Sequence, residues 1–304
     1  MTNRPVRLGA LSALLLLVSA PTASALDVLS VPPVGVGRGG YWTQTTDTLW
    51  KLDTAVQIVY SYLHRPITIR RGGGEADLDV VGRGQVLTFS AGIGLIDRLE
   101  LDVAMPLHID RKIDPAFESE LSGTSPGDLY LALKYQALRR SQSGFGLTVT
   151  PFVMFGTGNA DKLAGSGNQN FGLVIAADRD VSILTFAANA GFTRRADSGF
   201  LTDHFDEKLQ SSFDWGALVS VRPIKDWLEL YVETNGLVEV EGDHGVNALV
   251  LGGVKSRLGP LDFTAGYGKG LTNDLPLPSH MFYFGVGYYR WPEADRRFDG
   301  EAPK

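Results

Sequence analysis

The stretch GLIDRLELDVAMPLHID, from Gly94 to Asp110, alternates between two kinds of side chain. Apolar residues occupy every second position from Leu99 to Leu107, and acidic residues such as Glu100 and Asp102 stand between them. Successive side chains of a β-strand point to opposite sides, so this sequence gives a strand one apolar face and one charged face. The fold therefore depends on what the apolar face meets: a protein core, or a surrounding as apolar as a core.

The same period of two recurs along most of the chain, and it predicts twelve β-strands of about ten residues each. The predicted strands lie near 53–65, 84–95, 99–109, 127–138, 145–156, 170–178, 182–194, 211–222, 227–237, 246–257, 261–269 and 279–291. The strands near 246–257 and 279–291 carry apolar residues on both faces, which leaves their orientation open. No long helical pattern interrupts the series.

The links between these strands alternate strictly between short and long. Short links fall at 96–98, 139–144, 178–180, 223–226 and 258–260, and longer, polar ones at 66–83, 110–126, 156–169, 195–210, 238–245 and 270–278. In an up-and-down meander this alternation places every tight turn at one end and every long loop at the other. A sandwich with Greek-key connections gives no reason for it. Short periplasmic turns, long extracellular loops and an even strand number are typical of outer-membrane barrels.

The width of such a barrel decides which face points outward. Eight strands enclose a space that side chains just fill, and twelve enclose more. Apolar faces turned inward would leave a hollow apolar lumen, whereas apolar faces turned to lipid leave a lumen that water can solvate. We therefore predict an all-β fold, a transmembrane up-and-down antiparallel β-barrel of about twelve strands, in which closure pairs every backbone group as a bilayer requires.

Ten polar residues on the opposite faces are the candidates for lining this lumen. They are Glu100, Asp102, Asp128, Lys134, Gln136, Asp214, Arg222, Glu229, Glu233 and Asp262. Acids outnumber bases among them, which would bias the passage of ions. Lys134 and Glu233 fall near mid-strand and could pair across the lumen; the alternative to an aqueous path is a lumen plugged by internal salt bridges. Several glycines share the inner face and leave space there: Gly92, Gly94, Gly146, Gly172, Gly191, Gly216 and Gly266.

The two ends of the chain predict export. Arg4 and Arg7 precede a short apolar run, and Ala23-Ser24-Ala25 has the form of a cleavage site, so residues 1–25 read as a secretory signal peptide. An N-terminal anchor helix is the alternative. The expected organisation is a signal peptide over 1–25, a periplasmic segment over 26–52, the barrel over 53–291 and a periplasmic tail over 292–304. The segment over 26–52 could rest in the periplasmic mouth of the barrel or lie along the membrane edge.

Composition excludes several classes of function. The formal charge is −6, and removing the two signal-peptide arginines leaves −8, which argues against a nucleic-acid partner. The chain contains no cysteine, so disulfides, thiolate metal sites and a lipid-bearing N-terminal cysteine are excluded. None of the five histidines stands in a metal-ligand spacing, and no motif for a cofactor is present. We therefore expect neither a metal site nor a cofactor. The glycine-rich stretch 156–170 lacks the Gly-Lys-Ser/Thr ending and the following helix of a phosphate-binding loop.

Three stretches resemble a known family: GIGLIDRLELDVAMPL, GDLYLALKYQAL and AGYGKGLTNDL followed by FYFGVGYY. They are similar to outer-membrane channels described for the MetA pathway of phenol degradation, and to the N-terminal barrels of some OmpA-like proteins. The resemblance covers about 52–291 and implies a barrel that passes small organic molecules. The chain departs from the OmpA-like group because only 292–304 follows the last strand. Tyr289 and Trp291 end that strand in a way that resembles a signal for the barrel-assembly machinery.

The predicted function is a passive channel for small organic solutes, hydrophobic or aromatic ones included, in the outer membrane and not an enzyme. The first alternative is a non-conducting structural or adhesive barrel whose loops contact lipopolysaccharide. The second is an outer-membrane lipid hydrolase, for which His108, on the same face as Asp102, is the best candidate. The sequence offers no identifiable serine partner for it.

Overall fold

The structure is a computed structural model that describes residues 39–69, 77–117, 121–195, 211–224, 227–240, 246–272 and 277–290. The predicted signal peptide over 1–25 and the predicted tail over 292–304 lie outside the described residues. So do residues 26–38 of the predicted periplasmic segment.

Twelve long strands form one antiparallel sheet, and each predicted strand has its counterpart. They are β1 (Thr54–Ile69), β2 (Leu78–Ile96), β3 (Leu99–Ile113), β4 (Leu129–Leu138), β5 (Gly146–Phe155), β6 (Asn170–Val181), β7 (Leu184–Arg194), β8 (Ser212–Ile224), β9 (Leu228–Glu239), β10 (Val246–Leu258), β11 (Leu261–Gly270) and β12 (His280–Arg290). A two-residue bridge, Ser125–Pro126, adds to the edge of β3.

The sheet closes on itself. Each strand pairs with its neighbours in chain order, and β1 pairs with β12 as well as β2, with Thr54 opposite Arg290 and His64 opposite His280. A closed sheet leaves no unpaired edge, which is what a bilayer demands of a spanning sheet. The predicted twelve-stranded antiparallel barrel is confirmed.

The two ends of the barrel differ as the link lengths predicted. Links such as 97–98, 182–183 and 259–260 are two residues long, and they define what we call the short-turn end; the opposite end is the long-loop end. The link after β4 contains a helix, Arg140–Ser143 (α1), which the alternation did not predict. β1, β2 and β3 extend beyond their predicted bounds at the long-loop end, because the β1–β2 ladder continues past an irregularity between His64 and Ile67.

The outer face of the barrel is apolar. On β8, Phe213 and Val219 are exposed whereas Ser212 and Ser220 are buried, and the other strands alternate in the same way. The exposed aromatics Tyr267 and Tyr288 lie toward opposite ends of the barrel, where a membrane–water boundary favours amphipathic rings. This apolar belt is that of a transmembrane barrel. None of the helices in the described part of the chain is long and apolar enough to cross a membrane.

The structure settles the orientation of the two strands whose faces looked alike. Phe282 and Phe284 of β12 point outward, and Met281 and Tyr283 point inward and are buried. On β10, Leu249 and Leu251 point inward. The inner wall is apolar in this sector, which is why the sequence showed no contrast between the faces.

Candidate functional site in the barrel interior

Residues 39–53, which we call the N-terminal segment, run inside the barrel. The segment joins β1 at the short-turn end, where the N–H of Leu52 donates to the carbonyl of Gly94 at 2.7 Å. Lys51 forms a parallel bridge to Gly94. Farther from β1, the Tyr41 hydroxyl lies 2.7 Å from Oγ of Ser61, at mid-height of the barrel. The described residues of the predicted periplasmic segment, 39–52, therefore contact the inner wall of the barrel and enter it from the short-turn end.

Glu233, on the inner face of β9, binds residues 41–43, which we call the tip of the N-terminal segment. The N–H groups of Tyr41 and Thr43 donate to its two carboxylate oxygens at 2.6 and 2.8 Å, and that of Trp42 lies 3.2 Å from Oε1. The side chain of Glu233 is fully buried. A buried carboxylate requires such donors, since desolvation of an unpartnered charge costs several kcal/mol. Glu233 thus both holds the segment and depends on it.

Four further wall residues hold the part of the segment nearer the short-turn end. The N–H of Leu49 donates to Glu100 at 2.6 Å, and that of Thr46 to Asp178 at 2.7 Å. In the other direction, Lys134 donates to the Asp47 carbonyl at 2.6 Å and Gln136 to the Thr46 carbonyl at 2.7 Å. Lys134 and Glu233, predicted as a possible pair across the lumen, each bind the segment that lies between them.

A cluster of charges ties Asp47 to the short-turn end. Arg140 of α1 lies 2.5 Å from Asp47, 3.3 Å from Asp178 and 3.2 Å from Asp180. We call these four residues the clasp. Burial opposes the charge of Arg140, but the three carboxylates outweigh it and raise the pKa of the guanidinium, which therefore stays charged.

The inner-face glycines give the segment its space. A methyl group on Gly94 would overlap the backbone of Trp50, and one on Gly146 would overlap Thr46. A side chain on Gly216 would meet Asn235 and Thr43, and one on Gly92 would meet Leu49. The space that the sequence predicted at these four glycines is therefore filled by the segment and by wall side chains.

The loop between β5 and β6, residues 156–169, enters the barrel from the long-loop end. Asp128 accepts hydrogen bonds from the N–H groups of Gly158 and Ser166, at 3.0 and 2.7 Å. Arg111 donates to the carbonyl of Lys162. Leu163 in the same loop is fully buried. The interior is thus occupied from both ends.

The remaining candidates also lie on the inner face. Asp214 accepts a hydrogen bond from Ser212 at 2.8 Å, Arg222 lies 3.3 Å from Asp180, and Asp262 accepts from Arg257 at 2.7 Å. Glu229 is half-buried on β9, and Asp102 is buried beside Glu100. Of the ten candidates, Glu100, Lys134, Gln136 and Glu233 converge on the segment and Asp128 on the loop.

Apolar side chains cover a continuous area of the inner wall, from the tip of the segment toward the long-loop end. Tyr41 belongs to one buried cluster with aliphatic residues of β1, β2, β10 and β12. Its fully buried members include Leu63, Ile67, Val81, Leu249, Leu251 and Met281. The interior expected to be water-filled and charged therefore has an apolar sector that sequence reasoning missed.

The residues proposed for catalysis do not come together. His108 and Asp102 lie six residues apart on β3, which is roughly 20 Å along a strand. Ser125 is opposite His108 in the ladder, with its hydroxyl 3.4 Å from the Pro126 carbonyl. Among the described residues, no group of His, Asp or Glu side chains could hold a metal ion.

Several residues of this interior had no sequence signal of their own. Asp47, Asp178 and Arg140 read as ordinary loop or strand-end charges, and Ser61 as one small residue in an alternating strand. The glycines offered a signal: Gly92, Gly94, Gly146 and Gly216 share the inner face of three strands, the first three of them near the short-turn end. A wall with so much free space needs something to fill it.

Comparison with known proteins places these observations in a family. A crystal structure of an outer membrane channel from Pseudomonas putida F1 superposes with a TM-score of 0.63 at 13% identity, covering 81% of this chain and 98% of that one. The NanC porin superposes with a TM-score of 0.51 at 8% identity, covering 77% and 98%. No curated protein sequence matches the chain significantly. The family model described as "Putative MetA-pathway of phenol degradation" matches residues 78–276, and the chain belongs to that family.

Proposed function

We propose that this protein is a passive channel of the outer membrane for small apolar or aromatic solutes, and that the described structure is its closed state. The observation that carries the proposal is the interior itself. A transmembrane wall encloses an apolar sector, and a segment held mainly by polar contacts fills the space beside it. A structural barrel needs a packed core, but it does not need one that depends on a separate segment.

The apolar sector is the reason for preferring apolar solutes. A hydrated solute gains nothing from a wall of Leu63, Leu249, Leu251 and Met281, whereas an apolar solute gains roughly 25 cal/mol per Å² of its surface removed from water. Acidic residues such as Glu100 and Glu233 would repel organic anions in the same passage. The similarity to an outer membrane channel and to a porin supports passive passage, and the family description is consistent with aromatic solutes.

The cellular setting follows from the same proposal. A cleaved signal peptide over 1–25 would deliver the chain through the inner membrane, and the barrel-assembly machinery would insert it. The apolar belt would then contact outer-membrane lipid, and the long loops would lie among lipopolysaccharide.

A swelling assay in liposomes tests the proposal. The full chain and a variant without residues 39–50 are inserted, and the entry of small solutes of graded polarity is compared. We expect slow entry for the full chain and at least tenfold faster entry for the truncated variant. Inserted, folded barrels that admit no solute in either form would contradict the channel function.

Two other functions predict different results. For the adhesive barrel, removal of long loops should abolish attachment and leave permeability unchanged. For the lipid hydrolase, His108→Ala should abolish hydrolysis; absence of lipid hydrolysis by the unaltered protein would reject it.

A further inference from the structure

We propose that the inner wall at Ser61 and Tyr283 is a binding site for a phenol, and that the side chain of Tyr41 occupies this site while the channel is closed. The inference rests on the proposed function, because a solute can reach this wall only if the interior opens. It adds to that function a specific position, a ligand class and a competitor carried by the protein itself.

The seat of Tyr41 recognises both parts of a phenol. The hydroxyl of Tyr41 lies 2.7 Å from Oγ of Ser61, and its ring centroid lies 4.6 Å from that of Tyr283 with the planes at 52°. Ser61 and Tyr283 are directly opposite each other in the β1–β12 ladder. A single place in the wall therefore offers a hydrogen-bonding hydroxyl beside an aromatic ring, and tilted ring pairs at this distance are favourable.

The wall around this seat is shaped for aromatic rings. Tyr283 is opposite Gly266 in one ladder, and Tyr231 is opposite Gly253 in another. A methyl group on either glycine would overlap the phenol side chains of these tyrosines. The hydroxyls of Tyr231 and Tyr283 bond to each other, which leaves Ser61 as the partner of the third phenol.

Tyr41 differs from the two wall tyrosines in how it is attached. Tyr231 and Tyr283 belong to strands of the closed ladder, whereas Tyr41 belongs to the N-terminal segment, which has no strand pairing at this position. If the segment withdraws, Ser61 and the ring of Tyr283 stay in place and lose their partner. A free phenol can restore both contacts, the hydrogen bond to Ser61 and the ring contact with Tyr283. The reason is that the side chain of Tyr41 is itself 4-methylphenol (p-cresol) joined to the backbone.

The electrostatics of the seat select the neutral form of the ligand. The seat is buried, and the carboxylate of Glu233 lies beside it, 2.6 Å from the backbone nitrogen of Tyr41. The same surroundings disfavour a phenolate. The site should therefore take neutral phenols and discriminate against hydrocarbons of the same shape, which leave the Ser61 hydroxyl without a partner.

A cavity experiment tests the site directly. The variant Tyr41→Ala is prepared from the full chain in lipid nanodiscs, and its affinities for p-cresol and for toluene, which has nearly the same shape without the hydroxyl, are measured by thermal shift. We expect p-cresol to bind about tenfold more tightly than toluene. The double variant Tyr41→Ala/Ser61→Ala should bind both equally. Equal affinities in the single variant would overturn the proposal.

Tyr130→Ala is the matched control. Tyr130 is a buried tyrosine on the inner face of β4, and its removal also leaves a space with the shape of a phenol. We expect it to show no preference for p-cresol that depends on Ser61. The same tenfold preference in this variant would mean that any vacated tyrosine seat behaves alike, and would contradict a specific site.

A second measurement keeps the test valid if Tyr41→Ala does not fold. The chain has no cysteine, so Gln44→Cys places a single thiol on the N-terminal segment. We expect p-cresol to accelerate labelling of this thiol severalfold, toluene to have no effect, and Ser61→Ala to abolish the acceleration. No acceleration by p-cresol would overturn the proposal.

The outcomes separate this inference from the proposed function. Solute entry into liposomes without any preference for p-cresol would reject the phenol site and leave the channel standing. Binding of p-cresol that depends on Ser61, with no solute entry in any variant, would leave the site standing and reject the channel.

Discussion

At Gly94 the backbone of β2 runs against that of Trp50, with no room for a side chain between them. Gly94→Ala should therefore displace the N-terminal segment while the ladder of β2 remains intact. We expect a loss of about 1–3 kcal/mol in the free energy of unfolding, the usual cost of overpacking. A single cysteine at Gln44 should also be labelled faster.

Gly84→Ala is the control for that substitution. Gly84 lies on the same inner face of β2, and its nearest neighbour would be 3.8 Å from an added methyl group. Gly84→Ala should leave the free energy of unfolding unchanged, and it should leave the labelling rate of the cysteine at position 44 unchanged. If both alanine variants behave alike, the close approach at Gly94 has no part in placing the segment.

A second prediction at the residue scale concerns Glu233. Glu233→Gln keeps the size of the side chain, but it replaces one acceptor oxygen by an NH₂ group that would face the N–H of Thr43. The expected cost is about 2 kcal/mol of stability, since a buried donor is left unsatisfied. Chemical denaturation measures it, with Glu229→Gln, on the same face of β9 and half-buried, as the control. An equal effect of the two would refute the role of Glu233 as the anchor of the tip.

At the scale of elements, the clasp decides whether the part of the segment at the short-turn end stays in place. Arg140→Gln leaves the carboxylates of Asp47, Asp178 and Asp180 close together without their counter-charge. Removing one partner of a buried ion pair lowers the free energy of unfolding by roughly 3–5 kcal/mol. We expect a smaller loss here because Asp47 and Asp180 are partly exposed. We expect faster labelling of a cysteine at position 48, and a smaller difference from the unaltered protein at high salt, which screens the remaining carboxylates.

Arg98→Gln is the matched control for the clasp, because Arg98 lies on another short turn and donates to Gln142 at 3.2 Å in an exposed contact. Exposed pairs of this kind contribute little. Labelling at position 48 that rises equally in both variants would argue that lost surface charge, and not the clasp, loosens the segment.

The strands were predictable from sequence and the N-terminal segment was not, for a physical reason. A strand that faces lipid on one side and the interior on the other records both surroundings in adjacent residues, as Leu101 and Asp102 do. The segment has no such period, because its partners Glu233, Asp178 and Glu100 come from three strands far apart in the chain. β10 and β12 lie between these cases: Leu249 and Met281 face an apolar interior, so the two faces looked alike.

At the scale of the whole molecule, the candidate site is the consequence of enclosing more space than the wall can fill. Twelve strands leave an interior that their own side chains do not close. The chain fills it with a segment from one end and a loop from the other, each held by wall carboxylates: Glu233 for the segment and Asp128 for the loop. The ten inner-face residues follow from the strand period, but what they bind follows only from closure of the barrel.

The barrel fold and the proposed channel both depend on which face of the strands meets hydrocarbon, and spin labels on single cysteines measure this directly. Labels at Val219 and Val232, both exposed on the outer face, and at Asp262 on the inner face, are compared in lipid vesicles for collision with oxygen and with a water-soluble nickel complex. Oxygen concentrates in hydrocarbon. We expect oxygen to relax the labels at 219 and 232 more than nickel does, and the oxygen-to-nickel ratio to be lower for the label at 262 than for either of them. A higher oxygen-to-nickel ratio at 262 than at 219 and 232 would contradict an apolar face turned to lipid.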